Sequence, residues 1–152
     1  MNMASLRIAL GADHAGAAYK TLLIQDANAF GHETIDHGVA PGTERSEYPL
    51  VAAEVAAAVA RKKADFGILI CGTGIGMAIA ANKVQGIRAA NCGNELSATY
   101  ARSHNDANVL TMGARIIGSD LALAIARAFL KEPFQGGRHL ERLGLIPGAL
   151  GS

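Results

Sequence analysis

The sequence has no apolar run of membrane-spanning length, which takes about 20 predominantly apolar residues in a helix. Its opening segment, Met1–Arg7, lacks the apolar core of a secretory signal peptide. Neither sign of charge is in excess: 14 Lys and Arg stand against 13 Asp and Glu, for a formal net charge of +1. A chain so balanced has no general attraction to nucleic acid or to a membrane surface. There are only two cysteines, Cys71 and Cys92, and no C-x-x-C pair, so redox chemistry of that kind is excluded and both thiols are expected to be reduced. The histidines show neither HExxH nor any other tight metal spacing, so no metal is expected, and no other cofactor. Repeats, low-complexity segments and an interdomain linker are also missing. The chain is expected to be cytoplasmic and to act on a small molecule.

Half of the 152 residues are apolar, which argues against disorder and supplies a real core for one domain spanning residues 1–152. Strand and helix patterns alternate throughout. Leu6–Ala12 reads as a strand; Tyr19, Leu22, Leu23, Ala27 and Phe30 recur at helical spacing, with Gly31 as the stop. Glu33–Asp36 is a short second strand, and residues 37–47 are polar and turn-rich. Pro49 suits the first turn of an Ala-rich helix running to about Lys62. Further strands are expected at 66–70, 87–91 and 108–112, with helices at 77–84, from an Asn94 cap to Ser103, and from a Ser119 cap to Leu130. Five βα units predict an α/β domain whose five-stranded, mostly parallel sheet carries helices on both faces. The residues after Pro133 predict a C-terminal helix or arm that reaches a site or a partner subunit.

The most informative segment is Ile68–Gly76. A buried strand ends in Cys71, which opens a glycine-rich turn leading into a helix. Ligands of open parallel sheets bind at the carboxyl ends of strands, and a glycine turn entering a helix presents N–H groups to an anion. The other strand ends carry Asp13 and His14, and Arg115; His104 and Asn105 follow the fourth helix. Each has a plainer explanation. Asp13 suits a helix cap, Cys71 a small core residue, His104 a helix C-terminus, and the arginines a solvated surface. Their joint placement is what points to a site. Several loops are excluded by their missing residues. A P-loop needs Gly-Lys-Ser/Thr where Gly76-Met77-Ala78 stands; a dinucleotide fingerprint needs glycine at Ile79; a tyrosine-phosphatase loop needs arginine at Met77.

The segments Gly11-Ala12-Asp13-His14-Ala15-Gly16, Tyr48-Pro49, Ile70-Cys71-Gly72-Thr73-Gly74-Ile75-Gly76, Gly86-Ile87-Arg88-Ala89, His104-Asn105-Asp106-Ala107-Asn108, Gly113-Ala114-Arg115 and Gly136-Gly137-Arg138-His139 resemble, in order, those of type B ribose-5-phosphate isomerases. The resemblance implies a Rossmann-like three-layer fold and a homodimer or dimer of dimers with active sites at the subunit interface. It implies reversible aldose–ketose isomerisation without a metal. It further implies that Cys71 is the catalytic base and that His104 assists ring opening, with Asp13 and Thr73 also in the catalytic set. His14, Tyr48, Gly72, Gly74, Ile75, Gly76, Asn105, Arg115, Arg138, His139 and Arg142 would contact substrate. One branch of the family uses a glutamate at the place of Ile75 instead of the cysteine; this chain follows the cysteine branch.

Isomerisation moves a proton between adjacent carbons through an enediol, so it needs a base, a partner for the enediolate charge and, for a cyclic sugar, an acid–base group to open the ring. A thiolate at a glycine turn supplies the first, loop N–H groups the second, and a histidine the third. The expected substrate is ribose 5-phosphate. A six-carbon sugar phosphate (allose or galactose 6-phosphate) and a non-enzymatic sugar-phosphate binding module are the alternatives.

Overall fold

The computed structural model describes residues 4–151; Met1, Asn2 and Met3 of the opening segment, and Ser152, lie outside the described residues. Five strands, β1 (Arg7–Ala12), β2 (Glu33–Gly38), β3 (Phe66–Cys71), β4 (Ala89–Asn91) and β5 (Val109–Gly113), form one sheet in the order β2-β1-β3-β5-β4. Every pairing is parallel. Helices α1 (Ala17–Ala29), α2 (Tyr48–Ala60), α3 (Ile75–Ala81), α4 (Glu95–Ser103), α5 (Ser119–Lys131) and α6 (Arg138–Leu143) complete the chain. No helix among the described residues is long and apolar enough to cross a membrane.

Strand alternation sorts the core into two layers. Ile8, Leu10, Ile68, Ile70, Leu110 and Met112 pack under α1, α4 and α5, around the fully buried Phe129. Ala9, Leu69, Cys71 and Val109 face the other way, under α2 and α3. Gly11 and Gly67 lie on that second face because α2 sits so close; a Cβ on Gly67 would come within 2.7 Å of Val55 Cγ1. The central strands are buried on both faces, which is why they read as continuous apolar runs.

Several boundaries differ from the sequence reading. α3 begins at Ile75 and ends at Ala81, earlier at both ends than residues 77–84. Gly74 turns the chain in one left-handed step, so the helix needs no longer entry. Beyond its end the Asn82 side chain bonds both the N–H and the C=O of Ala89 and draws the chain into β4. β4 is three residues long, because Ile87 is held in a turn by its bond to Val84 O. β2 extends to Gly38, which narrows the polar loop to 39–47. Ser119 is the first residue of α5; the extended Gly118 takes the flanking place and no side chain caps that helix. Asn94 caps α4 as expected, accepting from Ser97 N–H at 2.8 Å. Gly31, at φ +87°, follows the end of α1 as its stop.

The topology reverses direction between β1 and β3, since β1 leads outward to β2 and the chain returns across it to β3. Loops from these adjacent carboxyl ends part there and leave a crevice. Asp13 N–H donates to Ile70 O at 3.2 Å, which fixes the β1 exit beside the β3 exit. The buried Lys20 amine holds the exit of β2 in the same region, donating to His37 O and Val39 O and pairing with Asp36 at 2.6 Å.

Candidate active site

Cys71 is the last residue of β3, packed on the α2–α3 side and 5% exposed. Its Sγ receives the Gly74 N–H at 3.1 Å. The loop reaches back over the sulfur because Gly74 adopts φ +80°, a conformation costly for any residue with a Cβ. The Gly74 carbonyl is fixed in turn by the buried Thr111 hydroxyl at 2.8 Å. Thr73 Oγ1 accepts from Ile75 N–H at 3.2 Å. One loop amide is therefore committed to the sulfur. Among the described residues the N–H of Gly76, in the first turn of α3, has no partner one turn back inside the helix; Gly76 is partly exposed, whereas Met77 is wholly buried.

Arg115, Tyr48 and the β1–α1 turn border this loop. Arg115, just after β5, bonds Gly72 O through its N–H at 2.9 Å, and its guanidinium covers Gly72; a Cβ there would be 3.2 Å from Nη1. Tyr48, at the start of α2, lies on Gly76, where a Cβ would come within 2.5 Å of its ring. From β1, Asp13 Oδ1 accepts the N–H groups of Ala15 (2.9 Å) and Gly16 (3.2 Å), so this buried side chain shapes the β1–α1 turn; it does not cap α1, whose flanking residue is Gly16 with no side-chain cap. His14 is held by Ser46: its N–H donates to Ser46 Oγ at 3.0 Å, and Ser46 N–H donates to His14 Nδ1 at 3.2 Å. With Nδ1 engaged as acceptor, Nε2 is the ring nitrogen not used by Ser46.

A second group forms where α4 ends against α6. His104 is the residue after α4; its ring lies 4.7 Å from Tyr100 and stacks on His139 at 4.3 Å and 9°. Gln135 N–H donates to Ser103 O at 3.0 Å and pins the arm to the helix end. Arg138 and Arg142 flank His139 on α6; both are exposed while His139 is buried. Burial, then the positive fields of His104, Arg138 and Arg142, push the His139 pKa down, so it stays neutral near pH 7.

The residues named from the sequence thus fall into two sets within one chain. Asp13, His14, Tyr48, Cys71, the loop 72–76 and Arg115 gather at the sheet edge. His104, His139, Arg138 and Arg142 gather at α4–α6, where α4 packs on the opposite face of the sheet. No hydrogen bond, ion pair or ring contact among the described residues joins the two sets. Asn105 is exposed and borders a separate hollow of about 350 Å³ together with Leu143 and Ile146. The rest of the His104–Asn108 run is scaffold. Asp106 pairs with Arg102 (2.8 Å) and Arg88 (3.3 Å), and Asn108 bonds the Arg88 and Gly86 main chain. Sequence reading missed Ser46, Thr111 and Tyr100. Only Tyr100, four residues before His104 and so on its helix face, left a signal in the spacing.

The protein-family model described as Ribose/Galactose Isomerase matches residues 8–146. The chain is 46% identical over 140 residues to ribose-5-phosphate isomerase B of Escherichia coli strain K12, covering 92% of this chain and 93% of that protein. It is 46% identical over 132 residues to D-erythrulose-4-phosphate isomerase of Pectobacterium atrosepticum, covering 87% of each. Among solved structures, the ribose-5-phosphate isomerase B of Clostridium thermocellum matches with a TM-score of 0.89 and 47% identity, over 91% of this chain and 93% of that one.

Proposed function

From the premise that the chain belongs to the ribose/galactose isomerase family, we propose that it interconverts ribose 5-phosphate and ribulose 5-phosphate, with Cys71 moving the proton. The observation that carries the reading is the Cys71 sulfur at the exit of β3, held by the Gly74 amide inside a loop that faces the crevice. Arg138 and Arg142 take the phosphate, and His104 exchanges protons with the ring oxygen and the C1 hydroxyl until the aldehyde is free. The Cys71 thiolate then removes the C2 proton. The negative charge that develops on the enediolate oxygen is met by loop N–H groups, each worth roughly 3–4 kcal/mol in comparable oxyanion holes. A proton passes from the C2 hydroxyl to O1, and return of the proton from Cys71 to C1 gives the ketose, with C2 as the carbonyl.

Because the two sets of residues are separate in one chain, a working site takes Cys71 from one subunit and His104, Arg138 and Arg142 from another. Exposed apolar side chains beside each set support a homodimer, alone or as a dimer of dimers. Ile75 and Ile79 lie next to the cysteine loop, and Tyr100 and Leu140 next to His104. The test is complementation. Cys71→Ala and His104→Ala proteins, each nearly inactive, regain about a quarter of wild-type activity when their subunits are mixed, because half the dimers then hold one intact site of two. No recovery, in mixtures shown to exchange subunits, contradicts the shared site.

The arginines give a second expected result. Arg138 and Arg142 lie four apart on α6 and act on the phosphate, not on the carbons that react. Arg138→Ala or Arg142→Ala raises KM by about ten- to a hundredfold, the equivalent of one lost charged hydrogen bond, with kcat within about twofold. Steady-state kinetics on ribose 5-phosphate reads the split; a fall in kcat at constant KM would remove the phosphate role.

A further inference from the structure

His139 has no role in the scheme above, although it is the most buried side chain of its helix after Leu143. Two consecutive left-handed glycines, Gly136 (φ +66°) and Gly137 (φ +57°), turn the arm so that His139 faces inward while Arg138 and Arg142 face out. The ring makes no hydrogen bond among the described residues. What it offers is a face: it lies 4.3 Å from the His104 ring and within 9° of parallel. His104 itself sits just beyond the last turn of α4, where nothing in the helix ladder fixes its side chain. Its flat contacts are Tyr100, tilted by 31°, and His139. The stack is mechanically supported, because Gln135 N–H anchors the arm to Ser103 O one residue before His104.

We infer that His139 is a positioning residue, whose stacked imidazole sets the orientation of His104 for ring opening and couples it to the arm that carries Arg138 and Arg142. The inference rests on the reading given under Proposed function. It makes phosphate engagement and ring opening parts of one rigid unit, so that a substrate gripped by the arm meets an already oriented histidine. A neutral ring suits this task, since a second imidazolium stacked on His104 would repel it in the charged form.

The test exploits substrate chemistry. Ribose 5-phosphate is cyclic and must be opened. Ribulose 5-phosphate has its O5 blocked by phosphate, cannot close a five-membered ring and arrives open. His139→Ala is expected to lower kcat on ribose 5-phosphate about tenfold, with KM within about twofold, because a misoriented catalytic group costs rate rather than binding. Enzyme-catalysed deuterium exchange at C1 of ribulose 5-phosphate should stay near the wild-type rate. His139→Phe, which keeps a flat ring and has no nitrogen, should restore kcat. If His139→Phe is as slow as His139→Ala, the nitrogen acts directly and the inference is overturned. It is equally overturned if KM alone rises, if exchange falls in step with kcat, or if both variants match wild type. Circular dichroism melts confirm that each variant is folded. Absence of turnover by the wild-type protein would instead overturn the functional reading, and this inference with it.

Discussion

Cys71→Ala is expected to abolish isomerisation, lowering kcat by about a thousandfold, within the range of losses when a positioned acid or base is removed. The substrate Kd should change by less than about threefold, because the phosphate is held elsewhere. The structure makes this separation sharp. Cys71 is small and packed under α2 and α3, so alanine leaves only a minor void and the fold survives. The Gly74 amide that now meets the sulfur is left facing the crevice. Cys71→Ser tests the same point chemically, since a hydroxyl in the same place ionises far too weakly to serve as the base. Calorimetric binding beside coupled-assay kinetics distinguishes the outcomes. Retention of more than about a tenth of wild-type kcat by Cys71→Ala would mean another group takes the proton.

Gly74→Ala is expected to damage both stability and activity. The residue has φ +80°, and a Cβ there would run into Asn91 Oδ1 and stand 2.8 Å from the Met112 carbonyl carbon. Main chain cannot yield as a flexible side chain does, so strain and overpacking add, to about 3 kcal/mol or more. For a chain of this size that is a fall in Tm of roughly 6–12 °C. Even the folded fraction should be inactive, because the loop must move to relieve the clash and then withdraws its amide from Cys71. Gly72→Ala is the contrast. Its φ is ordinary and the nearest atom is the movable Arg115 guanidinium at 3.2 Å, so the fold should hold while Arg115 shifts. Similar melting temperatures for Gly74→Ala and wild type would show that the left-handed turn is not a fixed part of the site.

The two variants differ in how visible their positions are in the sequence. Cys71 was legible because a fully buried strand ends on it, and the sheet order confirms that the β1, β3 and β5 exits adjoin. The sequence pattern starts the helix after the loop too late, because glycines at 72, 74 and 76 read together as a turn. In the structure Gly76 is already helical, and its missing side chain gives room to Tyr48. The position of β5 between β3 and β4 was not legible, since nothing local records which strand pairs with which. The same holds for Ser46 on His14 and His139 on His104, each a contact between segments more than 30 residues apart. The His104–Asn108 run shows the reverse limit. It reads as one motif, yet His104 faces the stack while Asp106 and Asn108 lock Arg88 and Arg102 into the scaffold.

The central claim, that the chain isomerises a sugar phosphate by proton transfer at C2 and C1, is tested most directly by proton NMR of ribose 5-phosphate incubated with the protein in heavy water. The account predicts that ribulose 5-phosphate appears, carrying solvent deuterium at C1, and that Cys71→Ala produces neither the ketose nor the label. An unchanged ribose 5-phosphate spectrum with the wild-type protein, or ketose formed equally well by Cys71→Ala, would contradict it.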